Sequence, residues 1–243
     1  MPRSPRGLLG VESRLGVVSP SKRLIAGSVL LSGILAIALY GQFMPRPESL
    51  GLATIVDGRP PSDADGVIVF LHGLGRDLEQ GEDFAKRLRS AGLAPGISLV
   101  IVRAPYRFGL FGFSWGDTEE ERAQSRARLR SMLGSLQARQ RVVIAGFSQG
   151  ATLALDTAAE EPLIGAVASF SPCYSENRGQ LPSRDLRFLI AHGTRDANCP
   201  VEESRSLAKV LGSANKAVRY IEFDGKHEMP REVIEALVMF ATH

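Results

Sequence analysis

Histidine, cysteine and tryptophan are scarce in this chain of 243 residues, which has four, two and one of them. So few histidines allow each to be weighed in turn as a general base. Two cysteines permit at most one internal disulfide, and none stands at the end of the apolar stretch near the N-terminus, which excludes a lipoprotein-type anchor. An excess of charge is also missing from most of the chain. Residues 1–23 carry five cationic side chains and one acid, whereas the remainder is nearly balanced at net −1. A near-neutral domain lacks the basic face that nucleic-acid binding needs. There is no internal repeat and no insertion large enough for a lid domain, so a site formed by the short loops should be open.

The length suits one globular domain plus an appendage. The appendage reads as a basic terminus over 1–23, an apolar segment over 24–43 and a Pro-containing tether over 44–64. From Leu24 to Tyr40 no charge occurs, and the next charged residue is Arg46. At about 1.5 Å per helical residue, such a segment is long enough to cross a bilayer core. Lys22 and Arg23 on its N-terminal side place that end in the cytoplasm and the rest outside, in the periplasm if the source is bacterial. The expectation is a single-pass anchor, because a cleavable core is usually only about 7–15 residues long. Ala36-Ile37-Ala38 provides the alternative, export followed by signal cleavage. Cys173 and Cys199 would then lie in an oxidising compartment, where one reading is a disulfide and the other two separate thiols.

Beyond the tether, residues 65–243 alternate short apolar runs with helical patterns. Val67–Leu71, Leu99–Val102, Val142–Ala145, Val167–Phe170, Phe188–Ala191 and Val218–Glu222 predict strands, and Leu52–Val56 an edge strand. Helices are predicted over Gly81–Ser90, from Asp117 or Thr118 to about Arg139, over Gln149–Glu160, Glu202–Leu211 and Arg231–Ala241. Continuous apolar strands separated by helices indicate a mostly parallel sheet covered on both faces. In such sheets ligands bind outside the carboxyl ends of the strands.

Gly146-Phe147-Ser148-Gln149-Gly150 falls where a predicted strand meets a predicted helix. A serine on so sharp a turn is strained, and glycines on both sides let the chain pass closely. Ser148 is the candidate nucleophile. It needs a base and an acid to orient that base, in the chain order Ser, acid, His. His72 precedes the serine, His192 ends a strand and His243 is terminal, so His227, in the turn after Val218–Glu222, is the candidate base. Asp196 leaves the preceding strand in His192-Gly193-Thr194-Arg195-Asp196 and is the candidate acid. Asp224 competes by proximity to His227 but is poorly placed for the far side of its ring, and Asp185 lies at the wrong sheet edge. His72-Gly73-Leu74-Gly75 follows the first strand, and backbone N–H groups of Leu74 and Gln149 are the candidate oxyanion donors. Tyr106–Trp115 collects five aromatics among glycines. Phe111, Phe113 and Trp115 are candidates for an apolar acyl wall, the other reading being a loop packed on its own core.

The set FLHGLGRD, GFSQG, HGTRD and DGKH, in this order over about residues 65–242, resembles the phospholipase/carboxylesterase family of α/β-hydrolases, which includes bacterial carboxylesterases and acyl-protein thioesterases. The resemblance implies the α/β-hydrolase fold without a large lid, with Ser148, Asp196 and His227 as triad and Leu74 and Gln149 as oxyanion donors. It also implies cleavage of acyl esters or thioesters, lysophospholipids included, without metal or cofactor. The apolar N-terminal segment and the Tyr106–Trp115 loop depart from that pattern. A non-catalytic, membrane-tethered module that binds an acyl or lipid ligand is the competing reading.

Overall fold

A computed structural model describes residues 52–173 and 184–242. The basic terminus, the proposed membrane segment 24–43, the first part of the tether and His243 lie outside the described residues. Among the described residues no helix is long and apolar enough to cross a membrane.

The elements are β1 (Ala53–Asp57), β2 (Gly66–Leu71), α1 (Leu78–Ser90), β3 (Ile97–Arg103), β4 (Tyr106–Phe108), β5 (Gly112–Ser114) and α2 (Glu119–Ser135). There follow β6 (Val142–Phe147), α3 (Gln149–Glu160), β7 (Ile164–Phe170), β8 (Arg187–Gly193), α4 (Val201–Ser213), β9 (Ala217–Phe223) and α5 (Arg231–Ala241). Seven strands form one sheet in the order β1-β3-β2-β6-β7-β8-β9, with only β1 antiparallel to its neighbour. The predicted edge strand is thus part of the sheet, one residue displaced.

Each central strand is apolar on both sides because both sheet faces are covered. Val67, Val69 and Leu71 of β2 pack with Leu129 and Leu133 of α2, Leu153 and Ala154 of α3, and Leu207 and Leu211 of α4. Ile68 and Phe70, pointing the other way, pack with Phe84 and Leu88 of α1 and with Val233 and Leu237 of α5. Phe70 stacks on Phe84 with ring centroids 4.0 Å apart. Removing one such side chain from water contributes roughly 1.5–3 kcal/mol, so these two layers, rather than the exposed ion pairs, hold the sheet in place.

Thr118 starts α2 through a reciprocal cap. Its hydroxyl accepts from the Glu121 amide at 3.2 Å while the Glu121 carboxylate accepts from the Thr118 amide at 3.2 Å. The helix stops at Ser135, short of the predicted Arg139, and Gln137 takes a left-handed conformation with φ 51°. The segment Tyr106–Ser114, read as a loop, is a short antiparallel hairpin, β4–β5. β2, β6, β7, β8 and β9 all run parallel, so their carboxyl ends gather at one edge of the sheet.

Candidate active site

Ser148 sits between β6 and α3 with φ 55° and ψ −120°. A non-glycine residue at positive φ costs on the order of 1–3 kcal/mol and persists only where its surroundings over-determine it. Here they do: the Ser148 amide donates to the Phe170 carbonyl at 2.9 Å, and its carbonyl accepts from Ala151 at 3.0 Å and Thr152 at 3.2 Å. The two flanking glycines are required by contact. A Cβ on Gly146 would fall on the backbone of Gly150, and a Cβ on Gly150 would fall on the carbonyls of Leu71 and His72.

The loop after β2 lies directly against this elbow, with Gly73 close to the Phe147 ring and to Ser148 Cβ. Its amides are largely committed. Gly73 donates to Gln80 Oε1 at 2.9 Å, Gly75 to the Phe113 carbonyl at 2.9 Å, and Arg76 to the Gly73 carbonyl at 3.2 Å. Leu74 lies between these committed amides. The Gln149 amide is the first of α3, where no intrahelical carbonyl is in reach. His72 is fully taken up by the scaffold. Its Nε2 accepts from the Ala104 amide at 3.0 Å, so Nδ1 carries the proton and donates to the Gly73 carbonyl at 2.7 Å. Burial pushes its pKa down, which keeps the ring neutral. Trp115 Nε1 donates to the His72 carbonyl at 2.8 Å, joining the hairpin to the same loop.

The Gln149 side chain, for which the sequence suggested no role, also joins parts of the site. Its Oε1 accepts from the Trp115 amide at 2.9 Å, and its Nε2 donates to Ser114 Oγ and the Gly116 carbonyl, both at 3.1 Å. No pattern in the sequence signalled this link between elbow and hairpin.

On the other side of the sheet edge, His227 Nδ1 donates to Asp196 Oδ2 at 2.6 Å. The Asp196 side chain is fully buried, and its Oδ1 accepts from the amides of Asn198 at 2.8 Å and Cys199 at 3.0 Å. Burial alone would raise the carboxyl pKa. The Cys199 amide, His227 and the Asn198 amide outweigh it and hold the group below its ordinary range. The loops themselves are joined by backbone: Thr194 donates to the Phe223 carbonyl and Arg195 to the Gly225 carbonyl, each at 2.9 Å. Gly193 permits this closeness, since a Cβ there would fall on the carbonyls of Gly225 and Lys226. The His227 ring rests 4.7 Å from that of Phe147, next to Ser148 in the chain. Asp224, the competing acid, is 83% exposed and paired with Arg195 at 2.9 Å. Asp185 lies by a cavity at the opposite sheet edge, with Arg141 and Arg187.

Cys173 and Cys199 form a disulfide with Cα atoms 4.9 Å apart. It links the segment after β7 to the residue whose amide holds Asp196. A cavity of about 190 Å³ opens at Ser148, lined by Leu74, Trp115, Thr152, Leu153 and Cys173, with Arg122 and Asp156 also on its wall. Of the three aromatic candidates, only Trp115 lines it. Phe113 is buried under the Arg103 guanidinium, 4.5 Å from the ring centroid, and Phe111 stands 87% exposed on the hairpin connection. Phe111 precedes β5, and Phe113, within it, packs in the same core layer as Trp115 without reaching the cavity. Among the described residues no cluster of three His, Cys, Asp or Glu side chains could hold a metal ion.

A hydroxyl on a strained elbow, with a carboxylate-held imidazole packed against the neighbouring Phe147 ring, brings together groups that can exchange a proton. The family model described as Phospholipase/Carboxylesterase matches residues 52–242. No curated protein matches the chain. Among solved structures, that of esterase PE8 superposes with a TM-score of 0.68 at 22% identity, covering 79% of this chain and 98% of the other. The carboxylesterase from Mesorhizobium loti gives 0.65 at 19% identity over 82% and 98% of the two chains. Acyl-protein thioesterase 2 of Zea mays gives 0.62 at 20% over 79% and 98%. At these identities the likeness to each structure is one of fold.

Proposed function

The chain belongs to the phospholipase/carboxylesterase family of α/β-hydrolases and is a carboxylic ester hydrolase; from that premise we propose that it is a serine esterase working through an acyl-enzyme. In this reading Ser148 Oγ attacks the acyl carbonyl and passes its proton to His227 Nε2. The amides of Leu74 and Gln149 receive the developing oxyanion, a stabilisation for which each such donor can be worth about 10²–10³ in rate. His227 then protonates the departing alcohol or thiol. Water, deprotonated by the same imidazole, attacks the acyl-serine and frees the acid. Asp196 holds His227 in the tautomer that leaves Nε2 free to accept.

The single observation that carries this reading is the 2.6 Å bond between His227 Nδ1 and a fully buried Asp196, beside an elbow that holds Ser148 at φ 55°. An acyl or lipid-binding module without catalysis would need neither. Thioesters and lysophospholipids are candidate substrates within the same mechanism. We further propose that residues 24–43 anchor the chain with the domain outside the cytoplasm, a location that suits its disulfide. Turnover of p-nitrophenyl acyl esters by the full-length protein tests the mechanism. Ser148→Ala should lower kcat by about 10⁵–10⁶. Turnover by that variant within tenfold of the parent would remove Ser148 as the nucleophile.

A further inference from the structure

His192 is a second histidine at the acid. It ends β8, is fully buried, and places Nε2 3.2 Å from Asp196 Oδ2, the oxygen that receives His227. The same Nε2 lies 2.9 Å from the Cys199 carbonyl, and Nδ1 lies 2.7 Å from Ser204 Oγ on α4. Proton placement follows from these partners. A carbonyl and a carboxylate both face Nε2 and neither can donate to it, so Nε2 carries the hydrogen. Nδ1 then accepts from the Ser204 hydroxyl. The charged and titratable groups facing the ring are Asp196, His227 and, on β9, Glu222. Glu222 is bound by Arg205 of α4 at 2.7 and 2.8 Å and by the Tyr220 hydroxyl at 2.9 Å, so its charge is already compensated. Burial pushes the His192 pKa down and keeps the ring neutral. Its one Nε2 hydrogen, 2.9 Å from the Cys199 carbonyl, also faces Asp196 Oδ2 at 3.2 Å, and a neutral ring adds no buried cation beside the carboxylate.

Resting on the reading of Asp196 and His227 as acid and base, we propose that His192 is a positioning residue for the acid: its Nε2–H and the amides of Asn198 and Cys199 together seat the carboxylate that orients His227. Both oxygens of Asp196 are then fixed, Oδ1 by two amides and Oδ2 between two imidazoles. Cys199 is common to both sides of this seat. Its amide binds Oδ1, its carbonyl aims the His192 ring, and its disulfide to Cys173 ties it to the next loop. Donation from His192 also draws electron density from Oδ2. Losing it should tighten the hold of the carboxylate on the charged His227 ring.

Two isosteric amides separate this role from simple fastening of β8 to α4. His192→Asn places its amide near the Nδ1 position, keeping Ser204 in reach and losing the donor to Asp196. His192→Gln reaches the Nε2 position and keeps that donor. In full-length protein on p-nitrophenyl acetate, His192→Asn should lower kcat about tenfold with KM within about twofold, and should move the acid limb of kcat/KM about half a pH unit upward. His192→Gln should retain the parental acid limb and kcat to within about threefold. Equal kcat and equal acid limbs for the two variants, whatever their melting temperatures, would overturn the proposal, as would a larger loss in His192→Gln. Failure of the catalytic reading itself gives a different signature, namely an active Ser148→Ala.

Discussion

At the β2–β6 corner of the site, the chain around Ser148 is packed so closely that no Cβ can enter at either flanking glycine; at the β8–β9 corner Gly193 allows a similar approach, but Asp196 and His227 are also held by side-chain hydrogen bonds, and a disulfide ties their loop. The first corner depends on Gly146, Gly150 and the packing of Gly73 on Ser148. The second depends on what each buried polar atom meets: two amides, two imidazoles and a hydroxyl around Asp196 and His192. The elbow should accordingly respond to added volume and be indifferent to redox conditions. The corner of Asp196 and His227 should respond to the loss of a single hydrogen bond or of the disulfide.

The largest expected effect falls on the corner of Asp196 and His227. Asp196→Asn preserves volume but can hold His227 in the wrong tautomer, and kcat should drop by about 10⁴. A variant within tenfold of the parent in steady-state kinetics would mean that another group orients His227. Next comes a change of volume at the elbow. Gly150→Ala drives a methyl into the carbonyls of Leu71 and His72. Relieving that overlap should destabilise the fold by about 1–3 kcal/mol and, by moving the loop after β2 that is proposed to hold the oxyanion, lower kcat about 10²–10³. Thermal melting and kinetics on the same preparation check both effects, and a parental melting temperature with parental kcat would show that the elbow tolerates the added methyl. The smallest effect on kcat is that of reduction. Opening Cys173–Cys199 should cost about 3 kcal/mol of stability and lower kcat about three- to tenfold through the Cys199 amide, leaving KM unchanged. Cys173→Ser should show the same loss without reductant. If dithiothreitol changed KM instead, the disulfide would be acting on the cavity wall rather than on the acid.

The two corners also differed in how well the sequence revealed them. Steric requirements at the elbow leave glycines at fixed spacing beside a strand and a helix, so GFSQG announces itself. Chain order favours Asp196 in the sequence, and burial separates it from Asp224, which faces solvent with Arg195. His192 lies in the same HGTRD stretch as Asp196, yet nothing in its spacing reveals that the ring turns toward the carboxylate. Its partners Cys199 and Ser204 come from the following loop and from α4. Pairing of Cys173 with Cys199 stayed open for the same reason: it depends on two loops meeting at the ends of β7 and β8. Sheet and helices were largely legible because burial on both faces makes the strands continuously apolar. The end of α2 was not, because the charged run before β6 keeps helix-forming residues where Gln137 turns left-handed. Nor does spacing sort the aromatic run Tyr106–Trp115, since Phe111, Phe113 and Trp115 share one alternation, yet Phe111 is exposed, Phe113 is buried and only Trp115 lines the cavity.

Everything proposed for this site passes through an acyl group on Ser148. Acid quenching during the first turnovers of a p-nitrophenyl ester, followed by peptide mass analysis, tests that step most directly. The account predicts an added acyl mass on the peptide containing Ser148 in the parent, more of it in a variant slowed at hydrolysis of the intermediate, and none in Ser148→Ala. An unmodified Ser148 peptide throughout productive turnover, or the acyl mass on a different residue, would contradict it.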